Sequence, residues 1–351
     1  MTEIKKLPGS EVEITGEIAP EIFMSFKEEA FKELSKGLKI DGFREGRTPE
    51  SILINKIGQH VLLERMAIMA LENTYQEIIK EHNLDPVGRP ELTITKMAEN
   101  NPLGFKLKTA VMPEVVLPDY KSIAGKINSS KKDKFEADEK EVNEGLENLR
   151  KARASQKEKG SNESEDKIED ANPNDLPEIN DDFAKSIGKF NNLEELKSAI
   201  KENIVFDKKN KEKERIRVEI LDKIADKMET EIPGIMTQSE QDKMLADMRS
   251  QIVNMGMKWE DYIKHINKTE DDLKKDWEAD ALKRVKYGLA LNKIADEEKI
   301  EVKEEELSDE VEKTATHYEN HGHKVDKNQL KNYLYGILRN NKVWKILEEA
   351  K

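Results

Sequence analysis

The chain has 351 residues, enough for two or three domains and a sizeable buried core. Charged residues make up 38%, hydrophobic residues 36% and aromatics only 5%, a profile of long amphipathic helices that speaks against a compact β-rich enzyme. A net charge of −13 excludes broad binding to free DNA, which draws its affinity from many Lys and Arg contacts, and the absence of cysteine excludes disulfides, zinc-thiolate sites and thiol nucleophiles.

In chain order, Met1 to Gly16 has no apolar run of signal-peptide length, and nothing later approaches a membrane span, so a cytoplasmic protein is expected. Glu11-Val12-Glu13-Ile14 alternates like a strand with one wet face. Pro20 opens a helix whose Phe23, Phe26, Ala30, Leu34 and Leu38 form one apolar stripe. The loop Ile40 to Pro49 follows. Asp41-Gly42 and Glu45-Gly46 are turn chemistry, and Thr48-Pro49-Glu50 is a helix start with a hydroxyl cap. This loop pushes Phe43, Arg44 and Arg47 outward, a ring and two guanidinium forks suited to carboxylates or phosphates. With Lys36 and Lys39 they form a small basic spot on an acidic body.

Gly42-Phe43-Arg44-Glu45-Gly46-Arg47-Thr48-Pro49, set between two helical segments, resembles the ribosome-docking signature of the trigger factor family of bacterial chaperones. The resemblance implies that Gly42, Phe43, Arg44, Gly46, Arg47 and Pro49 carry ribosome binding near the polypeptide exit tunnel. Glu45 departs from the basic residue usual in the family. After the loop, helices run through Ile52 to Ile57 and Leu62 to about His82. Strands are expected at Leu92 to Ile94 and Phe105 to Val111. Pro86, Gly88 and Pro90, and the exit segment Met112 to Pro118, again resemble the family. Residues 1–112 thus read as an α+β ribosome-binding domain with a small antiparallel sheet.

Residues 113–153 read as an extended connector followed by a charged helix carrying Val142, Leu146 and Leu149. At this point family members enter an isomerase domain of the FKBP-like class. Here residues 154–175 are a polar linker with Ile168 as its one large apolar side chain. Such a domain needs on the order of 100 residues. The resemblance resumes at Leu176-Pro177-Glu178-Ile179 and Asp182-Phe183, so the chain looks like a family member without the isomerase domain.

Residues 176–351 read as an elongated all-α domain with helical arms. Two amphipathic segments are expected between Phe190 and Glu229, and Glu231-Ile232-Pro233 breaks the pattern. A helix with Met244 and Met248 then leads to a turn near Gly256 and on to Trp259 and Ile266. A further helix is expected from about Glu270 to Ala295, and a last pair flanks Glu319 to His323. Methionine is unbranched and polarizable, so Met244, Met248, Met255, Met257 and Trp259 are expected to contribute to a surface that holds unfolded segments.

No catalytic constellation is found. His317, His321 and His323 around Glu319 have chelating spacings, but in a Gly-containing loop they read as a polar inter-helix turn, and neither a metal nor a cofactor is expected. There is no phosphate-binding Gly-rich loop ending in Gly-Lys-Ser/Thr. The sequence therefore reads as an ATP-independent holding chaperone, not an enzyme, with the ribosome and nascent or unfolded polypeptides as partners and a weak homodimer left open. The alternative reading is a free cytosolic assembly chaperone that has lost the ribosome, motivated by Glu45.

Overall fold

The computed structural model describes residues 2–36, 50–130, 134–158, 176–322 and 324–351. Strands β1 (Thr2–Leu7), β2 (Glu11–Ile18), β3 (Pro86–Lys96) and β4 (Leu103–Val111) form an antiparallel sheet in the order β1-β2-β4-β3. Edge strand β1 is absent from the sequence reading because Ile4 and Leu7 are too few and too irregular to show a period of two. It hairpins onto β2 through Gly9 and Ser10, both at positive φ.

One sheet face buries Val12, Ile14, Ile18, Leu103, Phe105 and Leu107. The buried Thr109 on that face meets the Tyr75 hydroxyl at 3.0 Å. The other face is polar. Register sets Glu13 opposite Lys108 and Thr15 opposite Lys106, so the ion pairs run diagonally: Glu11 with Lys108 at 2.8 Å, Glu13 with Lys106 at 2.7 Å. These pairs are partly exposed and add little stability, but a one-residue slip would swap charges for core residues, so they help fix the register.

The apolar face is covered by α1 (Pro20–Ser25), α2 (Lys27–Lys36), α3 (Glu50–Ile57) and α4 (Gln59–Glu81). The single helix expected from Pro20 is divided at Phe26, a C-cap with φ −80 and ψ −3. Phe23 before the break and Ala30 after it both join the core formed with Leu62, Met66, Ala70 and Leu71 of α4. Each fully buried large side chain there contributes about 1.5–3 kcal/mol.

The chain continues through α5 (Tyr120–Asn128), α6 (Glu139–Glu158), α7 (Asp181–Ile187), α8 (Leu193–Lys227), α9 (Gly234–Asn254), α10 (Trp259–His265), α11 (Glu270–Asp276), α12 (Glu278–Glu297), α13 (Glu304–Asn320) and α14 (Lys327–Glu349). The fold is therefore a small antiparallel sheet with helices followed by a long helical region. The charge run Asp207 to Arg217, which reads as a solvated helix face between the two amphipathic segments, is helical and joins them into one continuous helix, α8, held by pairs such as Glu212 with Arg215, whose Nε and Nη2 both donate to the buried carboxylate at 2.8 and 2.9 Å. Conversely, the helix expected from Glu270 to Ala295 turns at Trp277 into α11 and α12.

These elements gather into two compact units, Met1–Leu117 with Lys227–Ile294, and Pro118–Asp226 with Ala295–Lys351. In the second unit, α6, α7 and α8 share a core of Leu146, Phe183, Leu196 and Ile200, while Leu307 and Val311 of α13 pack with Leu334 of α14. Helix α5, unforeseen because it is short and lies between two prolines and a polar run, starts at Asp119, whose carboxylate accepts the Ser122 amide at 3.0 Å.

Candidate functional site

The docking-loop residues Gly42, Phe43, Arg44, Gly46, Arg47 and Pro49 lie outside the described residues. What is described is the base on either side. Helices α2 and α3 both pack on α4, and Arg65 of α4 donates to Glu33 of α2 at 2.7 Å.

Helices α9, α10 and α11 build the methionine-bearing surface. Leu245, Trp259 and Leu273 form a small core, flanked by Met248, Ile252, Tyr262 and Trp277. Thr269 and Asp272 close a reciprocal capping box at the start of α11. The Trp259 ring stacks on Tyr262 at 5.8 Å, lies under the Arg249 guanidinium at 5.1 Å, and donates Nε1–H to Glu270 at 2.8 Å. Arg249 also pairs with Glu270. The Trp259 hydrogen bond, with help from Arg249, holds the Glu270 carboxyl below the usual carboxylate range.

The five residues singled out in the sequence are therefore placed unequally. Met255 is 79% exposed and Met257 47%, on the turn closed by Gly256 at φ +82. Met244 and Met248 are half-buried. Trp259, expected on the surface, is 6% exposed and serves as the post on which the turn rests. Its edge still lines, with Val253 and Met257, an open cleft of about 480 Å³. Val253, itself exposed, is the apolar neighbour that a reading fixed on methionine passed over.

A second concave feature was not foreseen. A cleft of about 670 Å³ is lined by Leu7, Leu84, Met112 and Val116, with Asp85, Glu114 and Glu231 on its wall. Its frame is tied by backbone hydrogen bonds exchanged between Val116 and Glu229 at 3.0 and 3.1 Å, and by Ser10 Oγ donating to the Glu231 carbonyl at 2.7 Å. The only trace in the sequence was the proline-flanked exit segment and the Glu231-Ile232-Pro233 break, since a cleft between distant segments has no local signature.

Among the described residues no group of three or more His, Asp and Glu is placed to hold a metal ion. No described helix is long and apolar enough to cross a membrane.

Comparison with known proteins gives this surface its context. The family model described as bacterial trigger factor protein matches residues 1–149, and that of the bacterial trigger factor C-terminus matches residues 192–349. No isomerase-domain model is among those that match. The trigger factor of Halothermothrix orenii is 27% identical, with 89% of this chain and 90% of the relative covered. That of Bacillus pumilus is also 27% identical, with 90% and 91% covered. The first alignment runs over 390 positions, more than the 351 residues here, so the relative carries residues without a counterpart in this chain. A solved structure of the trigger factor chaperone, described for promiscuous substrate recognition in folding and assembly, aligns with a TM-score of 0.51 at 19% identity over 99% of this chain and 100% of that one, a likeness of fold. With both terminal family models matched and the sheet-plus-helices fold in place, the chain belongs to the trigger factor family of chaperones.

Proposed function

We propose that this chaperone works without ATP in the cytoplasm, docking at the ribosomal exit tunnel through residues 1–112 and holding nascent or unfolded chains on residues 176–351. Phe43 would bury its ring, while Arg44 and Arg47 would pair with acidic side chains or RNA phosphates. The observation that carries the holding role is Met255, 79% exposed beside exposed Met257 and Val253 on a turn stiffened by Trp259. A rigid base with adaptable tips lets many apolar segments bind weakly and leave once their own folding removes the contact.

The isomerase role is absent in this reading, because the residues between the matched regions, 150–191, are far fewer than the roughly 100 an enclosed catalytic pocket requires. A proline-limited refolding assay should show no acceleration. The second reading, a free holding chaperone, is favoured by Glu45 alone, which sets a negative charge between Arg44 and Arg47.

Co-sedimentation with ribosomes decides between the two. Intact chain should pellet with ribosomes at moderate salt and the Phe43→Ala/Arg44→Ala double variant should not. If intact chain stays in the supernatant, the free-chaperone reading replaces ribosome docking.

A further inference from the structure

Helix α13 ends with two exposed histidines one turn apart, His317 in its last turn and His321 as its C-cap. Their ring centroids are 4.7 Å apart, with planes inclined by 47°. His321 Nδ1 lies 2.8 Å from the His317 carbonyl oxygen. A carbonyl can only accept, so Nδ1 carries the proton and the lone pair of His321 resides on Nε2, facing away from the backbone. This is the arrangement in which a backbone acceptor orients an imidazole for metal ligation.

The separation can be tested against coordination geometry. An imidazole nitrogen binds an ion such as zinc at roughly 2.0–2.1 Å, and two rings meeting at 90–110° then have centroids roughly 4.5–5.2 Å apart. The observed 4.7 Å falls within that span. The ion would sit at a helix C-terminus, whose dipole favours positive charge. Histidines four apart on a helix are a recurrent pair of zinc ligands.

We propose that His317 and His321 form a two-imidazole chelate for a divalent ion of the copper, nickel and zinc class, with water completing the coordination sphere. Nitrogen donors exclude magnesium and calcium, which take oxygen ligands, and rank copper above nickel and zinc. Bound there, the ion would pin the last turn of α13 to its cap, just ahead of Gly322 at φ +81.

The test is calorimetric titration of the untagged full chain with Ni²⁺ alone at neutral pH. Saturable binding is expected, weakened about tenfold or more in His317→Ala and in His321→Ala. It should be unchanged in His265→Ala, with Mg²⁺ giving no binding. Both substituted positions are exposed, and an unchanged circular dichroism spectrum confirms that each variant is folded. No saturable Ni²⁺ binding, or binding of undiminished affinity in either single variant, overturns the proposal.

Discussion

Glu231 accepts the backbone N–H of Gly9 at 2.8 Å, joining residues 222 positions apart in sequence. The bond ties the β1–β2 turn to the segment that opens α9, and Ser10 adds a second tie to the Glu231 carbonyl. Glu231→Ala removes the charge-assisted bond and leaves the other. Amide exchange at Gly9 should rise about fivefold, the equivalent of about 1 kcal/mol, while the sheet amides of β2 stay protected. Unchanged exchange at Gly9 would show that the contact carries no energy.

The end of α14 depends on α5. Asn128 Nδ2 donates to the carbonyls of Leu347 at 2.9 Å and Ala350 at 3.0 Å, groups that have no acceptor role within their own helix. Asn128→Ala should cost about 1–2 kcal/mol in chemical denaturation. At Gly125 a Cβ would stand 2.3 Å from the backbone carbonyl of Lys351, so Gly125→Ala should destabilise despite the better helix propensity of alanine. Gly336 of α14 has nothing within 4 Å of its Cβ position, and there the same change should stabilise by up to about 1 kcal/mol.

Acid should loosen the packing of α9, α10 and α11 at Glu270, beside the Asp272 carboxyl of the α11 capping box, which is likewise held below its ordinary range by Thr269. Because the folded pKa of Glu270 is depressed, its contribution to stability is fully present above the ordinary glutamate range and is lost as pH falls through the folded value. With Trp277 and Trp344 replaced by Phe, the fluorescence of Trp259 should be constant at neutral pH and change on acidification as its acceptor is protonated. Glu270→Gln should give a flat profile over the same range.

Tips and post should separate in function. Met255→Ser/Met257→Ser should leave the thermal transition in place and weaken suppression of client aggregation about tenfold, since each side chain contributes at most about 1.5–3 kcal/mol. Trp259→Ala should instead loosen the core it forms with Leu245 and Leu273, costing about 3–5 kcal/mol for removal of a buried aromatic ring. Loss of stability in the double Met variant would mean that these side chains are packed, not presented.

Much of the fold was legible because most of it is periodic. The stripes of α4, α13 and α14 and the alternation of β2 and β4 repeat often enough to show their period. The misreadings were at joints. Phe26 and Trp277 interrupt helices without a proline or glycine, since what turns the chain there is the tertiary core each ring joins or flanks. The charge run in the middle of α8 was legible as a helix face, because i,i+3 and i,i+4 pairing is as compatible with helix as an apolar stripe. For the candidate site, methionine composition pointed to the turn at Gly256, but only tertiary structure separates exposed Met255 from buried Trp259.

Arg150, on α6, donates its Nε to the carbonyl of Pro177 at 2.7 Å. The bond joins α6 to the segment just ahead of α7. Loop closure costs only about 0.6 kcal/mol for each doubling of length once the ends are fixed. A contact of this kind makes the position a socket, a place where the length of chain between two fixed points can vary while α6, α7 and α8 keep their common core.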